Sequence, residues 1–430
     1  MFSPFPLFRR RVAVPFACAL ALVPAGQALA SGYGLFTQGA SAFGQAATVT
    51  AHTTGPSTLF YNPALLTTLD GTRVEAGMTV LAFDRRFQSQ GDGDSHEMRD
   101  ETKMPASLYL SHRVTDDLAA GIGLFFPFGL ASDWPEQWEG RFLATQTEMT
   151  TYTLNPALAW RPVPRLSVAA GLDLALFDAT LRRQIDLAPL GLAGIEGSQE
   201  FSGDDTGLGW NLGLALQLTD RLDFGLSWRS EIDLSVDGRA RFSGVPGNAA
   251  ALFPATGGRA DLSLPEQLSL GLAWQPIEEL VVEIGAHWEG WSAFEELRIG
   301  LDQPVAGAGE DLVARDWDDT WSYSIGGRYA LSDRVALLAG YKYGNTPVPD
   351  STFEPAIPDA DTHLWTVGAD LQFGATTVSL SYGFQHYTDR IKANAVGVDP
   401  LHGGLTEANA ANGLYQSEIH LVALSLGCQF

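Results

Sequence analysis

Histidine and serine are the residues of this chain that could carry out nucleophilic chemistry. Hydrolysis of an acyl bond would need them as an activated pair with a third, orienting group. The eight histidines are scattered along 430 residues, no G-x-S-x-G motif is present, and no histidine has a motif spacing to a serine. The aspartate clusters also lack the spacing of a metal site. The sequence therefore predicts no enzyme, no catalytic residue, no cofactor and no bound metal, and four histidines are interpreted as structural: His52, His363, His386 and His420.

The strongest pattern in the chain is an alternation of apolar residues with small or polar ones. Near the C-terminus the apolar positions are Val422, Leu424, Leu426, Cys428 and Phe430. Successive side chains of a strand point to opposite faces, so one face of this strand requires an apolar medium. A soluble sandwich would carry Lys, Glu and Thr on its second face. Here that face is mostly Gly, Ala, Ser, Asn and Gln, which is typical of a membrane barrel, and the pattern recurs at 166–176, 208–218, 268–274 and 378–384.

Fourteen such strands can be counted, joined alternately by short and long connections. Short periplasmic turns and long external loops are expected of a bacterial outer-membrane barrel. No stretch after residue 30 reaches 18 consecutive apolar residues, so helical membrane spans are not expected. The sequence thus predicts an all-β fold, a membrane-spanning antiparallel β-barrel of about 14 strands. The predicted strands lie near 73–84, 103–114, 117–127, 147–161, 165–183, 206–219, 221–237, 263–276, 279–297, 317–331, 333–343, 361–374, 375–388 and 417–430.

The segment before the first predicted strand has a different composition. Residues 32–69 contain no Asp, Glu, Lys or Arg, in a chain that is 18% charged. Their glycines and prolines argue against a long strand, and an exposed linker would be more polar. We therefore expect a small plug, or hatch, in the barrel lumen over residues 31–72, followed by the barrel over 73–430.

Residues 1–30 have the composition of a secretory signal peptide. Three arginines at 9–11 precede an apolar stretch at 12–23, and Ala28-Leu29-Ala30 is a small-x-small cleavage site. Cleavage after Ala30 would leave Cys428 as the single cysteine, so no intramolecular disulfide is expected. The formal net charge of −24 argues against binding to nucleic acid.

The expected location is the outer membrane of a bacterial cell. There the protein would contact outer-membrane lipid and lipopolysaccharide, and a monomer is expected. Phe430 is predicted to be an assembly signal for the barrel assembly machinery and not a ligand contact.

Two stretches resemble a known family. The first comprises residues 31–36, 44–46 and 59–66, and it resembles the N-terminal hatch of the FadL/TodX outer-membrane transporters. The second, 126–135 followed by 138–142, resembles the kinked third strand of that family. The resemblance implies a passive channel for hydrophobic compounds, chiefly long-chain fatty acids. A ligand would land in an apolar groove between external loops, move to a lumen pocket beside the hatch, and leave sideways where the third strand bends inward.

Three groups of site residues are predicted on this basis. The hatch and pocket group is Ser31, Gly32, Tyr33, Leu35, Phe36, Asn62, Pro63 and Ala64, with Tyr33, Leu35 and Phe36 displaced by ligand. A lateral gate is expected at Phe126, Pro127, Phe128 and Gly129, because proline lacks the N–H of a strand ladder and glycine tolerates a bend. The external groove is predicted at Leu187, Leu190, Leu192, Ile195, Val245, Leu252 and Phe253.

Several alternatives stay open at this point. Pro127 could simply end the third strand, and the apolar loop residues could pack on one another as a lid. A carboxylate head group would need a cation, with the choice open among Arg73, Lys103, Arg113 and Lys342. Small aromatic hydrocarbons would suit the same apolar lining as fatty acids. A general porin and an outer-membrane acyl hydrolase are the less favoured alternatives.

Overall fold

The computed structural model describes residues 32–53, 55–91, 93–99, 102–396 and 411–430, so the predicted signal peptide and Ser31 lie outside the described residues. Within these ranges, fourteen antiparallel strands close into a barrel because the last pairs with the first, from Arg73↔Gln429 to Ser89↔Gly413. The predicted fold class is confirmed. The wall strands are β1 (Thr72–Ser89), β2 (Ala106–Arg113), β3 (Leu118–Phe125), β4 (Gln146–Val163), β5 (Leu166–Asp186), β6 (Glu196–Thr219), β7 (Leu222–Arg229), β8 (Gln267–Ile277), β9 (Leu280–Glu289), β10 (Thr320–Ser332), β11 (Val335–Gly344), β12 (Thr362–Phe373), β13 (Thr376–Lys392) and β14 (Gly413–Gln429).

The alternation predicted from the sequence decides which side chains face the membrane. On β5, Leu172 and Leu176 are about half exposed, while Asp173 and Ala175 between them are buried in the lumen. On β14, Leu424 and Leu426 face outward and Ala423 and Ser425 inward. A hydrocarbon environment cannot satisfy backbone N–H and C=O groups, so the closed ladder is what allows these strands to lie in it.

Two predicted strands are wrong in their bounds. The one predicted at 279–297 ends at Glu289, and the turn Trp291–Ala293 and the outer strand Glu296–Val305 follow it. The segment predicted as a single strand at 221–237 is divided into β7 and an outer strand, Ile232–Ser243, which pairs with the outer half of β6. The lumen-facing residues are odd-numbered up to Arg229 and even-numbered from Ile232. The apolar residues are even-numbered on both sides of this break, so the alternation in the sequence does not reveal the break.

Short strands and turns extend the outer rim of the barrel. Ile232–Ser243 pairs with Thr256–Leu264, and Glu296–Val305 pairs with Ala308–Ala314. The remaining elements are the strands Ser95–Glu97, Thr102–Lys103 and Gly129–Asp133 and the 3₁₀ turns Ala188–Leu190, Ala250–Leu252 and Trp291–Ala293.

Residues 38–69, named here the hatch body, fill the lumen. They contain two single-turn helices, α1 (Ala40–Phe43) and α2 (Thr58–Tyr61), and the 3₁₀ helix Pro63–Thr68. Among the described residues no helix is long and apolar enough to cross a membrane.

Buried charged side chains of the wall hold the hatch body. The carboxylate of Glu283 on β9 accepts the backbone N–H groups of Thr50, Ala51 and His52 at 2.7–3.1 Å. Arg229 on β7 pairs with Asp173 at 2.7 Å and also donates to the backbone carbonyls of the α2 turn. Both anchors are buried, so the hatch body is fixed to the wall by charge-assisted hydrogen bonds.

Candidate functional site: the kink, the arm and the inner cavity

The third wall strand is interrupted in the middle of the barrel wall. β3 ends with the pair Phe125↔Thr153, and the strand Gly129–Asp133 resumes with the pair Gly129↔Thr150. Three residues, 126–128, therefore lie opposite only two residues of β4. One extra residue on one strand is a β-bulge, which bends the strand and breaks its ladder. The predicted gate residues lie at this kink.

The kink is completed by residues 32–37, named here the arm. Leu35 N donates to Pro127 O at 2.8 Å, and Gly129 N donates to Tyr33 O at 2.9 Å. Between these bonds, Gly34 and Phe128 form an antiparallel bridge. Buried backbone groups need partners, and the arm supplies those that the interrupted ladder does not.

Two side chains satisfy the rest of the kink backbone. The Gln38 amide bonds both to the carbonyl of Phe126 and to its N–H. The Thr151 hydroxyl accepts from Phe128 N at 3.1 Å and donates to Phe128 O at 2.6 Å. Neither side chain belongs to the arm, so part of the kink would keep its partners if the arm moved away.

Gly129 is a glycine for a different reason from the one expected. Its backbone is not in the left-handed region, so the bend does not require a glycine there. A Cβ at this position would lie 2.9 Å from Cδ1 of Leu35. The missing side chain makes room for the arm.

Beside the kink the wall has a gap. β2 pairs with β3 from Leu108↔Leu124 to Arg113↔Ala119, and Thr102–Lys103 pairs with β1. Within the described residues, no strand pair joins 102–106 to 126–133. Met104 and Pro105 line one edge of this gap, and Phe126 and Leu130 line the other.

An inner cavity of about 270 Å³ lies between the arm, the gap and the wall. All predicted arm residues that the structure describes line it, as do Phe126, Phe128 and Gly129. Its apolar lining also includes wall side chains that the sequence analysis missed: Leu81, Phe83, Met149, Leu364, Ile419 and Leu421. The strand alternation does not distinguish these inward-facing apolar residues from those that pack against the hatch.

Three cations line the inner cavity. Lys342 on β11 places Nζ 3.3 Å from the centre of the Phe36 ring. Lys103 pairs with Glu148 at 2.5 Å. Arg85, which was not predicted, bonds to Ser417 and to the carbonyl of Ala131.

The other two candidate cations lie elsewhere. Arg113 bonds to the carbonyls of Leu69 and Thr67, and it pairs with Asp70 at the periplasmic end. Arg73 lines a separate cavity at the same end. Of the four cations weighed from the sequence, Lys103 and Lys342 are therefore the two that face the inner cavity.

A cluster of aromatic side chains closes the inner cavity toward the outside. Tyr33 contacts Trp291 with a centroid separation of 4.5 Å, and Trp317 packs on both Trp291 and Phe294. Phe128 of the kink joins the same cluster. Tyr33 is therefore held between the external loops and the kink.

Comparison with known proteins decides the family. The family model described as outer membrane protein transport protein (OMPP1/FadL/TodX) matches residues 21–430. The chain belongs to this family. It is thus an outer-membrane transporter of hydrophobic compounds, as the resemblance of the hatch and third-strand stretches indicated.

Related proteins of the FadL/TodX family match over most of the chain. A 47 kDa outer membrane protein of Pasteurella multocida is 27% identical over 394 residues, covering 86% of this chain and 90% of that protein. The long-chain fatty acid transport protein of Escherichia coli O6:H1 is 25% identical over 338 residues, covering 71% and 74%.

Solved structures show the same fold. A FadL homologue of Pseudomonas aeruginosa superposes with a TM-score of 0.82 at 19% identity, covering 93% of this chain and all of that one. The toluene transporter TodX of P. putida superposes with a TM-score of 0.70 at 20% identity, covering 93% and 99%.

A second, outer cavity of about 560 Å³ opens among the external loops of this FadL/TodX-family barrel. Its apolar wall includes Phe142, Leu181 and Phe201, and Arg183 and Arg315 also line it. Arg183 pairs with Asp311 and Arg315 with Glu354, so both charges are matched. The sequence analysis did not find this cavity, because its residues come from outer strand ends that were assigned to separate loops.

The predicted external groove residues lie on two neighbouring loops. Val245 approaches Gly197, which places the loop near 244–253 beside the loop that ends at Ile195. Leu187 is buried, while Leu190, Ile195 and Leu252 are exposed. None of the seven predicted residues lines the inner or the outer cavity.

The predicted hatch residues Asn62, Pro63 and Ala64 have a positioning role. Asn62 caps the 3₁₀ helix by accepting Ala64 N at 3.1 Å, and Pro63 occupies the first position of that helix. Asn62 also donates to Thr50 O and to Leu214 O on β6. The residue therefore ties the hatch body to the wall, at a distance from the inner cavity.

Proposed function

We propose that this protein is a diffusion channel for long-chain fatty acids, with a ligand pocket in the inner cavity and lateral exit through the gap beside the kink. The observation that carries the proposal is that one cavity is lined by the arm, by both edges of the gap and by three cations. An apolar cavity that opens toward lipid suits a ligand whose tail gains about 0.8 kcal/mol for each CH₂ kept out of water.

The cations favour a carboxylate ligand over a neutral aromatic hydrocarbon. Burying a charge costs free energy unless it is paired, and a neutral ligand would leave Lys342 with only the Phe36 ring in contact and the charge of Glu289 beyond ion-pair distance. A carboxylate would give it an ion pair inside an apolar wall. Lys342 is our choice for the head-group residue, because Lys103 already pairs with Glu148.

The proposed route has three stages. A fatty acid binds first at the external loops, where the outer cavity offers apolar walls and the exposed Leu190, Ile195 and Leu252 lie nearby. It enters the inner cavity when the arm and the aromatic cluster around Tyr33 move. It then leaves between Met104 and Phe126 into the membrane. The protein is proposed to work as a monomer and without chemical conversion of its ligand.

Uptake in cells tests the substrate. A strain lacking its own fatty acid transporter would express this protein and be given labelled oleate or labelled toluene. We expect oleate uptake well above the empty-vector control and little gain for toluene. Uptake of toluene without oleate would contradict the proposal and favour the aromatic alternative.

Deleting Pro127 tests the exit. After the deletion, two residues of each strand lie between the pairs Phe125↔Thr153 and Gly129↔Thr150, so the bulge is removed. β3 can then run straight and pair with β2. We expect a folded barrel, checked by heat-dependent migration on gels, that has lost oleate uptake. Uptake at the wild-type rate would exclude exit through the kink.

A further inference from the structure

Phe36 of the arm and Lys342 of the wall form a contact that the transport route does not require. Nζ of Lys342 lies 3.3 Å from the centre of the Phe36 ring, and the ring also packs edge to face with His287 at a centroid separation of 4.8 Å. Within the part of the chain that the structure describes, no carboxylate lies within ion-pair distance of Lys342. The ring face is therefore in direct contact with this cation, while the charge of Glu289 acts on it from beyond ion-pair distance.

The geometry points to Phe36 as a specificity-determining residue: we infer that its ring is a latch on Lys342 which a carboxylate releases and a neutral ligand does not. The inference rests on the proposed function, because it assigns the charge selectivity of the same cavity. A carboxylate binds an ammonium group more strongly than a ring quadrupole does. A head group at Lys342 would therefore take the place of the Phe36 ring.

Releasing the ring would loosen the arm at the kink. Phe36 directly follows Leu35, whose N–H donates to Pro127 O, and Leu35 packs where Gly129 lacks a side chain. The carbonyl of Phe36 accepts the Tyr61 hydroxyl of the hatch body at 3.0 Å, so the backbone of Phe36 stays tied to the body when its ring is released. Ligand charge would thus be coupled to the two backbone bonds that close the kink.

Hydrogen exchange of these two bonds tests the inference. The amides of Leu35 and Gly129 would be followed by mass spectrometry in nanodiscs, with oleate and with oleyl alcohol, which has the same tail and no charge. We expect oleate to raise exchange of both amides on the order of threefold to tenfold, as loss of a cation–π contact implies. Oleyl alcohol should leave the exchange unchanged.

Three variants complete the test. Phe36→Leu and Lys342→Met should each exchange faster without ligand and lose the difference between oleate and oleyl alcohol. Phe43→Leu is the matched control, since Phe43 is a hatch-body phenylalanine that lines the same cavity away from the cation. Phe43→Leu should keep the difference.

Two results would overturn the inference but not the proposed function. In the first, oleate binds and the exchange of the Leu35 and Gly129 amides is unchanged. In the second, oleate and oleyl alcohol change that exchange equally. A Phe36→Leu variant that still distinguishes the ligands would overturn it as well. Failure of oleate to bind the wild-type protein, measured by titration calorimetry, would overturn the proposed function together with the inference.

Discussion

The hatch body and the arm are both part of the plug, but the wall holds them in different ways. The body is bonded to buried charges, with Glu283 accepting three of its N–H groups and Arg229 donating to two of its carbonyls. The arm is held by two neutral backbone hydrogen bonds to the kink and by the hydroxyls of Tyr61 and Thr79, which donate to the carbonyls of Phe36 and Thr37. The Phe36 ring also contacts Lys342, and aromatic side chains pack around Tyr33.

The difference in energy between these contacts indicates which part can move. Pulling the body away would leave the buried carboxylate of Glu283 without its three N–H donors and Arg229 without two of its acceptors. Each charged group that loses buried partners in this way costs about 1–3 kcal/mol or more. Releasing the arm loses neutral hydrogen bonds worth about 1 kcal/mol each. We therefore expect the hatch to open at the arm while the body stays in place.

The largest effect is expected for Arg229→Met, which leaves Asp173 buried without its cation. We expect a loss of about 3–5 kcal/mol in the free energy of unfolding, measured by urea titration of the refolded barrel. Arg241→Met is the matched control, because Arg241 pairs with Glu200 on the exposed rim. It should lose less than about 1 kcal/mol. Equal losses would mean that the buried pair contributes no more to stability than a pair on the exposed rim.

Glu283→Ala should loosen the hatch body without unfolding the barrel. The N–H groups of Thr50, Ala51 and His52 lose their acceptor, which should cost about 1–3 kcal/mol in all, because water can enter the space of the missing side chain and accept from them. Their hydrogen exchange should rise, and single-channel recordings should show openings that the wild-type protein lacks. Glu283→Gln keeps one acceptor oxygen, so its effect should be smaller. If the Glu283→Ala variant shows no channel openings and the exchange of the amides at 50–52 is unchanged, Glu283 does not anchor the body.

Leu35→Pro should release the arm alone. The substitution removes the N–H that donates to Pro127 O, a loss of about 1 kcal/mol. Exchange of the Gly129 amide should rise while the amides at 50–52 stay protected. Leu35→Ala, which keeps the N–H, should have a smaller effect on Gly129. Loosening of the whole hatch by Leu35→Pro would show that arm and body move as one unit.

The effect of pH is expected to be confined to an external loop. Burial raises the pKa of Asp359 from its ordinary value of 3.8 to about 7, although the Thr346 hydroxyl and Arg390 act in the opposite direction. The folded loop thus keeps its proton at a pH where the unfolded chain has lost it. The loop is most stable below about pH 4, and this contribution is lost as the pH rises toward 7.

Hydrogen exchange near residues 346–360 should therefore increase between pH 4 and 7 by more than the intrinsic chemical rate. Asp359→Asn should remove that excess. The amides at 50–52 of the hatch body should not follow the loop. A pH response of the body amides equal to that of the loop would contradict the comparison.

The wall of this barrel was predictable from the sequence because its rule is local. Each strand needs only an apolar face and a small or polar face, as on β5 and β14, so the alternation gave all fourteen wall strands. The break after Arg229 was not predictable, because the apolar residues keep the same parity on both sides of it.

The site was predictable in part. The arm and the kink were located because their residues resemble a known family, and Pro127 explains why the ladder fails there. Arg85, the outer cavity and the partner of Lys342 depend on side chains from distant strands, which no local pattern encodes. Gly129 illustrates the limit: the position was expected, but the reason, close approach of Leu35, required the fold.

Two disulfide locks test most directly whether the arm moves and the body does not. Gly34 and Phe128 are opposite each other in a non-hydrogen-bonded pair, where Cα atoms lie about 4.5 Å apart, within reach of a disulfide. The hydroxyls of Thr67 in the body and Ser167 on β5 are 2.7 Å apart, so cysteines there provide the matched lock.

Both pairs would be made in a Cys428→Ser background. Oxidation of Gly34→Cys/Phe128→Cys should abolish oleate uptake and reduction should restore it, while oxidation of Thr67→Cys/Ser167→Cys should leave uptake unchanged. Uptake that survives the arm lock, or stops with the body lock, would contradict the account.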